Sequence, residues 1–336
     1  MTFLRAILVL LVFVMMDARA ASATYSRSQN FATDPTNWRQ SQKNLFYGYT
    51  RTMATGGKGA AGGLFIPSTV FNYYADLYLG GSLDRSTPIS ASGVLDLSQT
   101  SGQPAYTTSS YIGHFSQSLT SNFINFVGFA ITGATGNTVQ ATAVVEFSDG
   151  TAYAGSPITL TIGQGLVNWS YDWSPTGGIT GQGTLSAQFG GATSFLRIPA
   201  SAAGSNFGLN AFGLFQPPYT APDGNSFLQM FVGNPVYTAL PGNPPRVRVH
   251  GPAKIVTQSG VIGLSGTAQV QRGYSVTAVR YRLIRNGKLG ALRWARGTTN
   301  WTAAIHVPTG SSKIQIIART DSGLTNVAER RVVRLP

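Results

Sequence analysis

The sequence predicts an all-β chain made of two successive sandwiches of short antiparallel strands. Three observations predict it. Glycine is frequent, at 40 of 336 residues, and charged residues make up only 10%, a composition that suits tight turns and suits helices poorly. Apolar residues recur with period two in one segment after another, and no long stretch repeats at helical spacing. Prolines and glycines gather in "ALPGNPPRV", residues 239–247, and divide the chain into a longer and a shorter part. Each part is long enough to bury its own core.

The elements follow in chain order. Arg5, the apolar run 6–16 and then Ala18-Arg19-Ala20 read as a signal peptide over residues 1–20, with Ala21-Ser22-Ala23 as a second cleavage candidate. An uncleaved anchor would need roughly 20 apolar residues to span a bilayer; this run is shorter, and no second one follows. The expectation is export to a secreted or extracytoplasmic location, with no transmembrane anchor after cleavage. The chain has no cysteine. Stability must therefore come from packing, and thiolate metal sites and cysteine nucleophiles are excluded.

In the longer part, Val139, Ala141, Ala143, Val145 and Phe147 alternate with Thr138, Gln140, Thr142, Val144 and Glu146, and Asp149-Gly150 follows as a hairpin turn. Ile158, Leu160 and Ile162 repeat the alternation, as do Leu185, Ala187 and Phe189 before Gly190-Gly191. Strands and turns at this spacing argue for a sandwich. The pieces "ISASGVLDLS", "NFINFVGFAIT", "VVEFSDGTAYAG", "LVNWSYDWSPTGGITGQGTLSAQFGG" and "NAFGLFQ" occur in that order. Together they resemble the concanavalin A-like lectin/glucanase (LamG-like) jelly roll of secreted bacterial proteins, over residues 24–238. The resemblance implies two curved antiparallel sheets and a family in which sugar binding is common and hydrolysis is confined to certain branches.

Residues 239–245 read as a linker, because Pro244-Pro245 favours extended backbone and cannot feed a central strand. Beyond it, 246–336 reads as a smaller sandwich. Val279, Tyr281 and Leu283 point inward while Arg280 and Arg282 face outward, and Asn286-Gly287 makes the turn. Trp301, Ala303, Ile305 and Val307 form a second inward set, which leaves His306 on the surface. This part resembles the bacterial Ig-like surface modules, whose role is usually spacing or adhesion. Charge changes at the same boundary. Up to residue 243 nine Lys/Arg face nine Asp/Glu; from 244 onward fifteen basic residues face Asp321 and Glu329, so the whole net charge of +13 lies there.

Catalytic chemistry is mostly missing. Glycoside hydrolysis needs two facing carboxylates, and the resembled glucanases carry an acidic trio on one strand. Here the only glutamates are Glu146 and Glu329, in different parts of the chain, and the one local acidic pair, Glu146 with Asp149, reads as a strand edge and a turn. Val232-Gly233-Asn234 stands where the family's last strand often carries acidic pairs. Asp223 with Asn225 falls far short of the six to eight ligands calcium takes. "GKGAAG", residues 57–62, matches G-x-G-x-x-G formally but lacks the strand before and the helix after it. No nucleophile elbow exists, and His114, His250 and His306 have no sequence partner that makes a triad or a metal site. No catalytic residue, metal or cofactor is assigned, and the chain leans away from being an enzyme.

Two sets of residues remain as binding candidates. Trp169, Tyr171 and Trp173 share one parity and so one sheet face; with Tyr73, Tyr74 and Tyr78 in "FNYYADLYLGG" they are candidate glycan contacts. The alternative is that a same-parity aromatic row in a sandwich is core. The stretch "VTAVRYRLIRNGKLGALRWARG" supplies Arg280, Arg282, Arg285, Lys288, Arg293 and Arg296 as candidate polyanion contacts. A plain solvated face is the alternative, and no motif of specific nucleic-acid recognition is present. The expectation is an exported, non-enzymatic binding or adhesion protein, its first part contacting glycan and its second an anionic surface or polymer. A structural envelope or matrix protein without a specific ligand stands beside it, and a glycan-active enzyme behind both. Exposed rings at Trp169 and Trp173 would favour the binder, and buried rings the structural protein.

Overall fold

The computed structural model describes residues 23–336 apart from 43–44, 52, 54–58, 101–105, 118–124 and 220–225. The signal-peptide segment and the pair Asp223 with Asn225 therefore lie outside the described residues. Nearly everything described is strand, turn or bend, with one 3-10 turn at Ala200–Ala202. Among the described residues no helix is long and apolar enough to cross a membrane.

Two large sheets hold most of the strands up to residue 239, beside a small pair formed by Leu83–Asp84 and Gly208–Leu209. The first runs, edge to edge, Ala192–Arg197, Thr184–Phe189, Leu166–Ser174, Ile89–Thr100, Leu228–Ala239, Ala60–Phe65 and Tyr47–Thr50, with Tyr25–Ser28 pairing Leu228–Ala239. The second runs Ala152–Ala154, Thr138–Glu146, Phe126–Thr135, Tyr106–Phe115, Ala211–Gln216, Asn72–Asp76 and Trp38–Gln40, with Ile158–Thr161 pairing Thr138–Glu146. The expected parity holds: Val139, Ala141, Ala143, Val145 and Phe147 are fully buried between the sheets. Each such valine or phenylalanine contributes about 1.5–3 kcal/mol through the apolar surface removed from water. The glycine match at 57–62 runs into the strand Ala60–Phe65, so no helix follows it to hold a nucleotide.

Phe115, Phe126 and Phe215 form a second apolar layer on the outer side of the second sheet. Gly113 and Gly128 make room for it, since a Cβ on either would come within 2.7 Å of the Phe126 ring.

The strands after residue 245 form two further sheets that share no strand with the first pair. Arg246–Val249, Val261–Gln269 and Asn300–His306 make one. Lys254–Thr257, Thr325–Arg334, Gly310–Thr320, Val276–Arg285 and Lys288–Leu289 make the other, with Arg293–Trp294 also pairing Val276–Arg285. Val279, Tyr281, Trp301, Ile305, Ile314, Ile316 and Val332 fill a core separate from the first. Asn286 and Gly287 both take positive φ, 47° and 75°, the backbone that lets a two-residue turn follow the strand twist.

The two pairs of sheets meet at a buried ion pair. Arg27 donates through Nη1 to Asp76 Oδ2 at 2.6 Å and to the carbonyl of Tyr78 at 2.9 Å, and the Tyr237 hydroxyl donates to the same carboxylate at 2.8 Å. Tyr274, from the later sheets, lies over the Arg27 guanidinium at 4.5 Å, and its hydroxyl donates to the Leu240 carbonyl.

Candidate functional site

The aromatic candidates are corrected by their burial. Trp169, Tyr171 and Trp173 share a face as their parity requires, but that face is the core, and none is more than 2% exposed. Trp169 meets Phe129 edge-on at 5.2 Å, and Trp173 donates its Nε1–H to the Arg85 carbonyl at 3.1 Å. A ring with no open face cannot stack on a sugar. Tyr74 is equally buried, donating its hydroxyl to Asp34 at 2.9 Å. Its neighbour Tyr73 points to the opposite side of the strand, half-buried against Phe71 and Phe115. Tyr78 lies beneath the Arg272 guanidinium at 4.7 Å. Adjacent tyrosines in the sequence are thus scattered in space.

Turning one aromatic row inward leaves a different opening at the end of the sandwich. A cleft of about 170 Å³ lies between Tyr47–Thr50 and Ala60–Phe65 of the first sheet and Asn72–Asp76 and Ala211–Gln216 of the second. It is small beside ordinary ligand pockets, with room for roughly five waters. Leu45, Phe46, Leu64, Ile66 and Pro67 form its apolar walls, and Gln42, Ser68, Asn72, Gln216 and Tyr47 supply its polar groups. None of these is charged.

Each polar group at the floor is held by its element. Asn72 and Gln216 are direct cross-strand partners and both point between the sheets. Gln216 donates Nε2–H to the Tyr106 hydroxyl at 3.1 Å, and Tyr106 in turn meets the Ser110 hydroxyl at 2.6 Å. Asn72 Oδ1 accepts from the Gln42 amide. Tyr47 stacks on Phe65 with ring centroids 4.1 Å apart, which fixes its ring beside the cleft and leaves its hydroxyl buried. Two of these groups lack partners: the Gln216 Oε1 and the Tyr47 hydroxyl are buried without a hydrogen bond. A buried polar atom left so costs about 1–3 kcal/mol.

Burial, with the nearby Tyr106, pushes the Tyr47 hydroxyl well above its ordinary range, so it stays protonated as a donor. On the rim, by contrast, Phe46 exposes 69% of its surface. The cleft thus sets uncharged donors and acceptors beside one exposed ring.

The remaining titratable groups are placed structurally. His114 is completely buried between Tyr171, whose hydroxyl is 2.5 Å from Nδ1, and the Thr238 carbonyl, 2.8 Å from Nε2. A carbonyl only accepts, so Nε2 carries the proton and Nδ1 receives the Tyr171 hydroxyl. Burial lowers its pKa to about 4. Asp149 caps its turn, accepting from the Thr151 amide and from Ser205 at 2.7 Å; Glu146 stands half-buried on the strand before it. No group of three metal-ligating side chains occurs among the described residues.

The basic candidates do not form one cluster. Arg280 and Arg282 lie on the outer face of the six-stranded sheet. Arg285 and Lys288 sit in its hairpin, Arg293 is paired with the inward Tyr281, and Arg296 bridges to Thr302 beside the three-stranded sheet. What sequence order hid is that Lys313, Arg331 and Lys254 join Arg280 and Arg282 on the outer face, each from a different strand.

No protein-family model and no curated protein sequence matches the chain. Among solved structures, it is similar to the basic winged bean lectin with Tn-antigen, with a TM-score of 0.38 at 9% identity, over 66% of this chain and 100% of the lectin. The β-glucanase of Bacillus licheniformis gives 0.32 at 10%, over 64% and 97% of the two chains. An alginate lyase from Pseudomonas aeruginosa gives 0.31 at 14%, over 56% and 82%. Likenesses this distant assign neither a family nor a ligand to this chain.

Proposed function

We propose that the protein is an exported, non-enzymatic binder that holds a neutral sugar in the cleft at the end of its first sandwich and an anionic surface with its basic second part. In this reading residues 24–238 are a concanavalin A-like sandwich of the LamG-like kind, 246–336 an Ig-like module, and 239–245 the linker between them. The observation that carries it is the uncharged cleft itself, where the side chains of Gln42, Ser68, Asn72 and Gln216 lie beside the exposed Phe46 ring. Sugar hydroxyls pair with such amides and hydroxyls, and the C–H face of the same sugar covers an exposed aromatic ring. The size of the cleft fits a single residue or a chain end.

The burial of Trp169 and Trp173 favours a second reading, a structural envelope or matrix protein without a specific ligand. A glycan array of neutral and acidic polymers, probed at low and high salt and followed by calorimetry, separates the two. Neutral-glycan binding that resists salt, that Gln216→Leu weakens roughly five- to tenfold and that Phe46→Ala also weakens, supports the cleft. Failure to bind any neutral glycan leaves the structural reading.

A further inference from the structure

The outer face of the six-stranded sheet mixes cations and apolar side chains along its cross-strand rows. Cross-strand pairing sets Trp294, Arg280, Ile317 and Val327 in one row. Leu289, Ile284, Lys313, Arg331 and Lys254 form another. Between them run Arg282, Gln315 and Glu329, joined by hydrogen bonds of 2.7 and 3.3 Å. Glu329 is the one acid on these rows and is paired with Lys313 at 2.9 Å. Trp294 is 64% exposed, Leu289 59% and Val327 44%, with Val256 at 55% on the same face, while Ile284 and Ile317 are half-buried.

We propose that this face docks on a lipid bilayer surface bearing anionic headgroups, with Trp294 and Leu289 entering the boundary between headgroups and acyl chains. The proposal rests on the reading of the second part as an anionic-surface contact and names the surface. Positive charge gives the complementarity: lysines and arginines close to an anionic bilayer are each drawn to it. The apolar side chains on these rows choose among anions. An acidic polysaccharide gains nothing from exposed leucine and valine. Nucleic acid gains from flat rings on which bases stack, but Trp294 is the one aromatic on these rows, and the Arg280 guanidinium lies over it at 4.0 Å. A bilayer takes both kinds of side chain at once, since tryptophan and arginine settle at the interface while aliphatic groups go deeper.

Trp294 also supplies a clean signal. Of the five tryptophans, Trp38, Trp169, Trp173 and Trp301 are at most 2% exposed, so a change in emission on vesicle binding reports Trp294. The test co-sediments the protein with vesicles of phosphatidylcholine alone and of phosphatidylcholine with phosphatidylglycerol, and in parallel measures its retention on heparin and on single-stranded DNA. The expected result is partition to the anionic vesicles only, with a blue shift of tryptophan emission. Arg331→Gln and Lys254→Gln each lower partition about fivefold. Trp294→Ser abolishes the shift, and with Leu289→Ser it lowers vesicle partition while leaving heparin retention unchanged. Retention on heparin or DNA with no vesicle partition overturns the lipid proposal and leaves the anionic-contact reading standing. Retention by none of them overturns both, without touching the sugar cleft.

Discussion

The two halves of the molecule put their polar chemistry in opposite places. The first, net neutral in sequence, buries an ion pair, a histidine and a chain of hydroxyls and amides inside its sandwich, as Arg27–Asp76, His114–Tyr171 and Ser110–Tyr106–Gln216. In the second, which carries the entire net charge, the buried polar or charged residues among those described are Ser312 and Thr320, and the cations line its surface. A large aromatic core can enclose polar groups because each can be given a partner in a low-dielectric setting where hydrogen bonds are strong. A small sandwich has too little interior for that, and most of its charges stay in water, with only parts of Arg280, Arg330 and Arg334 buried. Interior polar groups therefore govern stability in the first half, while surface charges in the second are free to serve contact.

The sharpest way to break this contrast is to remove one charge from each half. Asp76→Ala leaves Arg27 buried without its carboxylate and Tyr237 without its acceptor, and a broken buried pair costs about 3–5 kcal/mol. Arg331→Gln, on an exposed side chain, should change stability by no more than about 0.5 kcal/mol. Denaturant unfolding of both variants checks the difference. Equal effects would mean that the Arg27 network is not what holds the first half.

The next largest effect is a dependence on pH. His114 is held neutral, with a folded pKa of about 4 against an ordinary 6.5. Between those values the unfolded chain binds a proton there and the folded protein does not, so stability falls as pH falls through that window, by about 3 kcal/mol in all. Asp149, held below its usual range by hydrogen bonds from Ser205 and Thr151, and Glu329, held down by Lys313, lose their contributions at lower pH. The slope above about pH 5 therefore belongs to His114. Unfolding curves should show it in the native sequence and lose it in His114→Gln, whatever that substitution does to overall stability. A slope that survives would place the titrating group elsewhere.

How much of this could be read from the chain differs between strands and sites. The alternation in Thr138–Glu146 and the outward Arg280 and Arg282 were legible, because a strand's period of two depends only on local sequence. The shared face of Trp169, Tyr171 and Trp173 was legible too, but not its direction, since a glycan platform and a sandwich core both select aromatic residues. Tyr73 and Tyr74 illustrate the opposite problem, being neighbours in the chain that pack in separate apolar layers. The cleft was hidden altogether. Its polar floor draws on Tyr47, Asn72 and Gln216, from two sheets, and only pairing order brings them together. The outer-face rows of the second half were half visible: Arg280 and Arg282 by parity, but Lys313, Arg331 and Lys254 only through register.

The smallest expected effect sharpens the comparison most, because it separates stability from function at one atom. Tyr47→Phe keeps the ring stacked on Phe65 and deletes a buried hydroxyl that has no partner. A buried hydroxyl without a partner costs folding free energy, so removing this one should leave the protein as stable or more stable, by roughly 1 kcal/mol. If the hydroxyl is kept for a ligand, the same variant should lose neutral-glycan affinity about fivefold, since a sugar hydroxyl would have been its partner. A thermal melt and a glycan titration on one preparation read both quantities. Gain in the first with loss in the second would place Tyr47 at the binding floor. A loss of stability instead would mean that the hydroxyl belongs to the fold, as Tyr171 and Tyr237 do.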